Sequence, residues 1–242
     1  MSPAVTAQDG ARRAVRSFVR REGRLTRAQA RALEGLWPRY GLRPEALQDL
    51  EQAFGRPGPV TLEIGFGSGD ALVALARRHP ERRYLGIEVY RPGIGRVLQR
   101  LAAEGIENVR LLEGDATELL PWLPAGVLDE ILIFFPDPWP KKRHHKRRLI
   151  QPAFVVELVR VLRPGGRLHL ATDWEDYALH MLEVLERAEG LENLAGPGCF
   201  ATRPASRPET RFERRGRARG HRVWDLRYGR VEARRPQPQP PM

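Results

Sequence analysis

Cysteine is nearly absent from this chain: Cys199 is the only one in 242 residues. An intramolecular disulfide and a cysteine-built metal cage are excluded, and a reducing compartment suits the composition. Lysine is almost as scarce, with Lys141, Lys142 and Lys146 crowded into one short run. No apolar stretch approaches the length needed to cross a bilayer, and the first residues lack the apolar core of a secretion signal. A soluble, cytoplasmic protein is expected, with no membrane partner. His144 and His145 adjoin without other ligand types nearby, and His79, His169, His180 and His221 are scattered. No metal site and no Ser-His-Asp triad is read from them.

Positive charge is what the chain has in excess. Forty-one basic residues against 30 acidic ones give a formal charge of +11. Such a surplus points to an anionic partner, nucleic acid before membrane. The length suits one large α/β domain with extensions. Residues 1–55 read as a basic N-terminal arm, 56–232 as the main domain, and 233–242 as a disordered Pro/Gln tail. Within the arm, Thr26 is placed to cap a helix over 27–36 that Pro38 ends.

From residue 60 onward strand and helix signals alternate. Strands are expected over 60–64, 83–89, 109–113, 128–135 and 167–172, with helices over 70–78, 92–104, 150–162 and 174–188. The run 128–135 is the most apolar in the chain and so belongs in the middle of the sheet. This alternation implies a mostly parallel, doubly wound, Rossmann-like sheet with helices on both faces. Residues 203–222 read as an arginine-dense loop, and 222–231 as a final strand.

The first strand runs into Glu63-Ile64-Gly65-Phe66-Gly67-Ser68-Gly69-Asp70. Glycines at alternating positions allow positive φ and a close backbone approach to a ligand. The helix that follows turns its N–H groups and positive dipole end toward the same place. A dinucleotide fingerprint would need its third glycine at position 70. Here Gly69 comes one place early, and Glu63 stands two places before the first glycine. A pyrophosphate is repelled by that carboxylate, whereas a sulfonium or ammonium ligand is attracted.

Each later strand also ends in an acid: Glu88, Asp115, Asp137 and Asp173. Ligands of open α/β sheets bind beyond the carboxyl ends of the strands, so five acids meet at one rim. Glu88 falls near the spacing at which a carboxylate takes ribose hydroxyls, and Asp115 is placed to accept from an adenine amino group. Asp137 lies inside Pro136-Asp137-Pro138-Trp139-Pro140, where prolines on both sides stiffen the backbone. Trp139 offers a surface on which a base could stack. Beyond it, Lys141, Lys142, Arg143, Lys146, Arg147 and Arg148 form a basic run with no acid, suited to nucleic-acid phosphates.

Assembled, these segments resemble the bacterial tRNA (guanine-N7-)-methyltransferases, within the class I S-adenosylmethionine-dependent superfamily, over roughly residues 15–230. The resemblance rests on the glycine motif, Gly86-Ile87-Glu88, the P-D-P-W loop and Thr172-Asp173. It is extended by Ser17-Phe18-Val19-Arg20-Arg21 with Gly23-Arg24-Leu25-Thr26, by Arg207 to Glu213, and by Gly220-His221 with Trp224-Asp225-Leu226. It implies methyl transfer from S-adenosylmethionine to N7 of a guanosine in the tRNA variable loop. It also implies cofactor roles for Glu63, Gly65, Gly67, Gly69, Glu88, Asp115 and Asp137, with Asp137 catalytic as well. Substrate roles follow for Lys141, Asp173, Thr210, Arg211, Phe212 and Glu213. Arg211 stands where the family usually has lysine, which replaces a point donor by a fork. Methylation of another RNA atom or of a basic protein, and non-catalytic RNA binding, stay open at this point, as does the oligomeric state.

Overall fold

The computed structural model describes residues 24–231. The segment Ser17 to Arg21 and the Pro/Gln tail lie outside the described residues.

Seven strands form one sheet in the order β3-β2-β1-β4-β5-β7-β6. They are β1 (Val60–Ile64), β2 (Arg83–Glu88), β3 (Val109–Glu113), β4 (Leu128–Phe134), β5 (Leu162–Thr172), β6 (Leu191–Asn193) and β7 (Trp224–Arg230). The first five strands run parallel, while β7 pairs antiparallel with both β5 and β6. The apolar strand β4 is central, as its composition predicts.

Helices α1 (Arg27–Tyr40), α3 (Asp70–Arg78) and α4 (Arg91–Ala103) share one core with the sheet, built on Leu33, Tyr40, Leu72, Ile94 and Leu98. Helices α2 (Leu50–Phe54), α5 (Ala116–Leu119), α6 (Pro152–Val161) and α7 (Glu175–Glu186) join the other core, with Leu62, Ile131, Ile133, Phe154 and Met181. Residues 24–55 thus pack into the main body. Thr26 caps α1 as expected: its side chain accepts from the Gln29 N–H while the Gln29 side chain accepts from the Thr26 N–H.

Three expectations need correction. Helix α1 does not stop before Pro38 but runs to Tyr40. Proline there forfeits one ladder bond in the last turn, and the fully buried Tyr40 ring holds the turn in place. Strand β5 begins at Leu162, pairing with Leu128 before the Arg163 to Gly166 excursion. Most consequentially, the stretch read as an arginine-dense loop contains helix α8 (Arg211–Ala218), capped by Thr210, whose side chain accepts from the Glu213 N–H at 3.1 Å.

Candidate active site

The carboxyl ends of the parallel strands open onto a cavity of about 510 Å³, within the range of small-molecule sites. Its lining includes Gly65, Gly67, Glu88, Asp115, Asp137 and Phe212. An adjoining recess reaches Glu63, Asp70 and Thr210. Asp173, at the end of β5, lines neither space; it is approached by His221, whose Nδ1 lies 3.4 Å from the Asp173 carboxylate.

Gly65, Gly67 and Gly69 all take positive φ, at 73°, 54° and 71°. A side chain at Gly69 would also put its Cβ 2.2 Å from Val97 on α4, so the tight turn needs glycine for two reasons. Glu88 locks this turn. One of its oxygens accepts from the Gly67 N–H at 2.7 Å, and the other from the Val89 and Tyr90 N–H groups. Burial raises the Glu88 pKa, against the pull of those three N–H donors. Asp115 caps α5 with Oδ1, accepting from the Thr117 N–H.

Glu63 is the most perturbed acid on this rim. It is buried, its Oε2 has no hydrogen-bond partner among the described residues, and its pKa is pushed up to about 8. Burial is the main cause, reinforced by the charges of Glu88 and Asp70. A buried carboxyl facing two other acids is a site short of positive charge. The residues present therefore fit a cationic ligand with ribose-like hydroxyls and do not fit a pyrophosphate.

The loop carrying Asp137 is held by strained backbone that no sequence pattern announces. Phe135 and Trp139 both sit in the left-handed region, at φ 53° and 48°, although neither is glycine. Such conformations cost about 1–3 kcal/mol each and persist where the surroundings impose them. The Phe135 N–H donates to Ala171 at 2.7 Å on β5, and Arg148 Nε donates to the Pro138 carbonyl at 3.0 Å. Arg148 also pairs with Asp176 and lies over the Tyr177 ring. With its side chain 1% exposed, Arg148 is a brace for this loop and not a member of the basic surface, contrary to expectation. Lys141, Lys142, Arg143, Lys146 and Arg147 are exposed, most of them on a 3-10 turn (Lys142–Arg147), and Arg147 lies over Trp139 at 5.0 Å.

Phe212 is exposed yet lines the cavity and the adjoining recess together with Gly67. Asp70 ties α8 to the glycine turn by accepting from the Arg211 N–H at 3.0 Å. Glu213, expected to touch substrate, is turned inward: its side chain is 1% exposed and both oxygens are taken by Arg207, at 2.8 and 2.9 Å. Arg203 adds a third bond at 2.8 Å, and Arg207 Nε lies 2.8 Å from Asp225, which in turn meets His169 at 2.7 Å. This cluster has no signature in local spacing, because its members come from β5, β7 and the 203–213 segment. Only the pairing of β5 with β7 brings them together.

A family model described as "Putative methyltransferase" matches residues 57–226. The tRNA (guanine-N(7)-)-methyltransferase of Alkalilimnicola ehrlichii is 57% identical over 225 residues, spanning 91% of this chain and 94% of that protein. This chain belongs to the tRNA (guanine-N(7)-)-methyltransferase family. The family member from Xanthomonas campestris pv. campestris is also 57% identical, over 93% of this chain and 87% of its own length. Among solved structures, a 16S rRNA (adenine(1408)-N(1))-methyltransferase variant from Catenulisporales acidiphilia with cosubstrate SAM superposes with a TM-score of 0.56. Its identity is 18%, covering 81% of this chain and 94% of that one, so it bears on the fold alone.

Proposed function

We propose that this chain transfers a methyl group from S-adenosylmethionine to N7 of a guanosine in the tRNA variable loop. Family membership carries the reading, and the acid-lined cavity beside the glycine turn supports it. S-adenosylmethionine supplies an electrophilic methyl group on a positively charged sulfur. Glu63 would offer its carboxylate to the cationic part of that ligand, Glu88 would accept from a ribose hydroxyl at the Oε2 position its backbone donors leave open, and Asp115 would offer its other oxygen to the adenine amino group.

Guanine N7 presents a lone pair in the ring plane and carries no proton, so no general base is demanded of the protein. The residues have to align N7 with the methyl group, which can supply several kcal/mol of the barrier. They also have to stabilise the positive charge that the purine acquires. Asp137, on the cavity wall, and Asp173, near α8, are the acids suited to that charge and to the guanine N1–H and N2–H donors. Thr210, Arg211 and Phe212 line or border the mouth where the base enters. Unstacking a loop nucleotide costs less than extruding one from a duplex.

Purified protein incubated with unmodified tRNA and methyl-labelled S-adenosylmethionine is expected to place label in 7-methylguanosine confined to the variable loop. Label in another nucleoside would remove the substrate assignment. No label, with cofactor and tRNA both shown to bind, would favour a non-catalytic RNA-binding role. Replacing Lys141, Lys142 and Lys146 together by alanine is expected to raise KM for tRNA and lower the slope of log affinity against log salt by about one per lost phosphate contact. An unchanged slope would place the RNA elsewhere.

A further inference from the structure

The exposed run 141–147 is one basic ridge at the cavity mouth; helix α8 is another. Of its eight residues, Arg211, Arg214, Arg215 and Arg217 are exposed arginines, and Arg219 follows at its end. Only Glu213 and Gly216 face inward. Glu213 is the sole acid in the helix, and Arg203 and Arg207 already neutralise it. Gly216 meets the Asp173 carboxylate, where a Cβ would come within 3.0 Å. Outside the helix, the described ion pairs give its arginines one acid, Glu209, 3.3 Å from Arg217.

As a free helix this sequence would oppose itself. Arginines at i,i+3 and i,i+4 repel, and Arg211 and Arg214 stand near the positive end of the dipole. The buried Arg207–Glu213–Asp225 cluster holds the helix in place, presenting to solvent a row of charges that the protein leaves largely uncompensated. The row begins at the site, because Phe212 lines the cavity with Gly67 and the Arg211 N–H bonds Asp70. At about 1.5 Å per residue, Arg214 and Arg215 stand within roughly one turn of the cavity mouth.

We propose that the outward face of α8 is a second phosphate-binding ridge, which grips the tRNA backbone beside the nucleotide entering the cavity. Its complement is polyanionic, and arginine forks suit phosphate oxygens. The inference rests on the reading of tRNA as substrate and adds to it a surface apart from 141–147. Glu213 then serves the RNA indirectly, as the anchor of the ridge.

The triple variant R214A/R215A/R217A is expected to raise KM for tRNA tenfold or more near physiological salt. The slope of log affinity against log salt should fall by about two to three. Affinity for S-adenosylhomocysteine should stay within twofold of wild type, and R214K/R215K/R217K should recover most of the slope. Unchanged KM and slope, with cofactor affinity intact, would overturn the proposal. Should the alanine variant not fold, phenylglyoxal modification of the wild-type protein decides: unmethylated tRNA should protect Arg214 and Arg215. Absence of protection overturns the ridge, as does protection by phosphatidylserine vesicles but not by tRNA. A wild-type protein that forms no 7-methylguanosine, yet shows this protection, would refute the proposed reaction and leave the RNA surface standing.

Discussion

Replacing Asp137 by asparagine is expected to lower turnover at saturating tRNA and cofactor by about a hundredfold or more. The substitution keeps the size of the side chain, removes its charge and turns one acceptor oxygen into an NH2 donor. Asp137 sits on the wall of the cavity, between two prolines and inside a loop whose flanking residues, Phe135 and Trp139, are held in left-handed backbone. That loop is fixed to β5 through the Phe135 N–H and braced through Arg148 and the Pro138 carbonyl. A carboxylate so restrained is preorganised, which is what lets a fixed charge favour the cationic purine over the neutral one. The measurement is single-turnover methylation of tRNA, with cofactor affinity determined in parallel. A fall in rate without comparable loss of cofactor binding fits the charge-stabilising role. Turnover within a few-fold of wild type would take that role from Asp137 and shift attention to Asp173→Asn.

Much of this site could be read before any coordinates, for a physical reason: glycine spacing, proline brackets and strand-end acids are local patterns. The strand periodicity put Glu63, Glu88, Asp115 and Asp137 at one rim, and the cavity and its adjoining recess contain them together. What could not be read depends on contacts distant in sequence. Arg148 looks like one more cation in a basic run, and only the packing of the loop against α7 shows it buried on Asp176 and Tyr177. Glu213 likewise looks like an exposed polar residue of an arginine-dense loop. It becomes a buried anchor because β7 returns antiparallel beside β5 and carries Asp225 to Arg207. The helix over 211–218 was hidden by its charge, since like-charged arginines lower the local helix signal. Its stability comes from tertiary anchoring, which propensity does not report.

The buried carboxyl of Glu63 leads to the second large effect, an affinity for S-adenosylmethionine that depends on pH. With its pKa pushed up to about 8, Glu63 is mostly protonated in the empty protein at neutral pH. A cationic ligand favours the ionised form, so binding near neutrality should release up to about one proton. Affinity should climb as pH rises from about 6 toward 8, by as much as tenfold per unit, and then level off. Stability runs the other way. The folded-state pKa lies above the ordinary carboxyl value of 4.5, so the folded protein holds the extra proton between about 4.5 and 8. This contribution is fully present below that window and is lost as pH rises through it. Glu63→Gln should abolish the proton release, weaken S-adenosylmethionine binding about tenfold or more, and raise the melting temperature above pH 8 because no buried charge then forms. Calorimetric titration in two buffers of different ionisation enthalpy reads the proton directly. If wild type releases none near pH 7, Glu63 is already ionised in the empty protein. If Glu63→Gln releases as many as wild type, the proton comes from another group. The first result would remove the pH dependence of binding near neutrality, and the second would leave the attraction of this rim for a cation to Glu88 and Asp70.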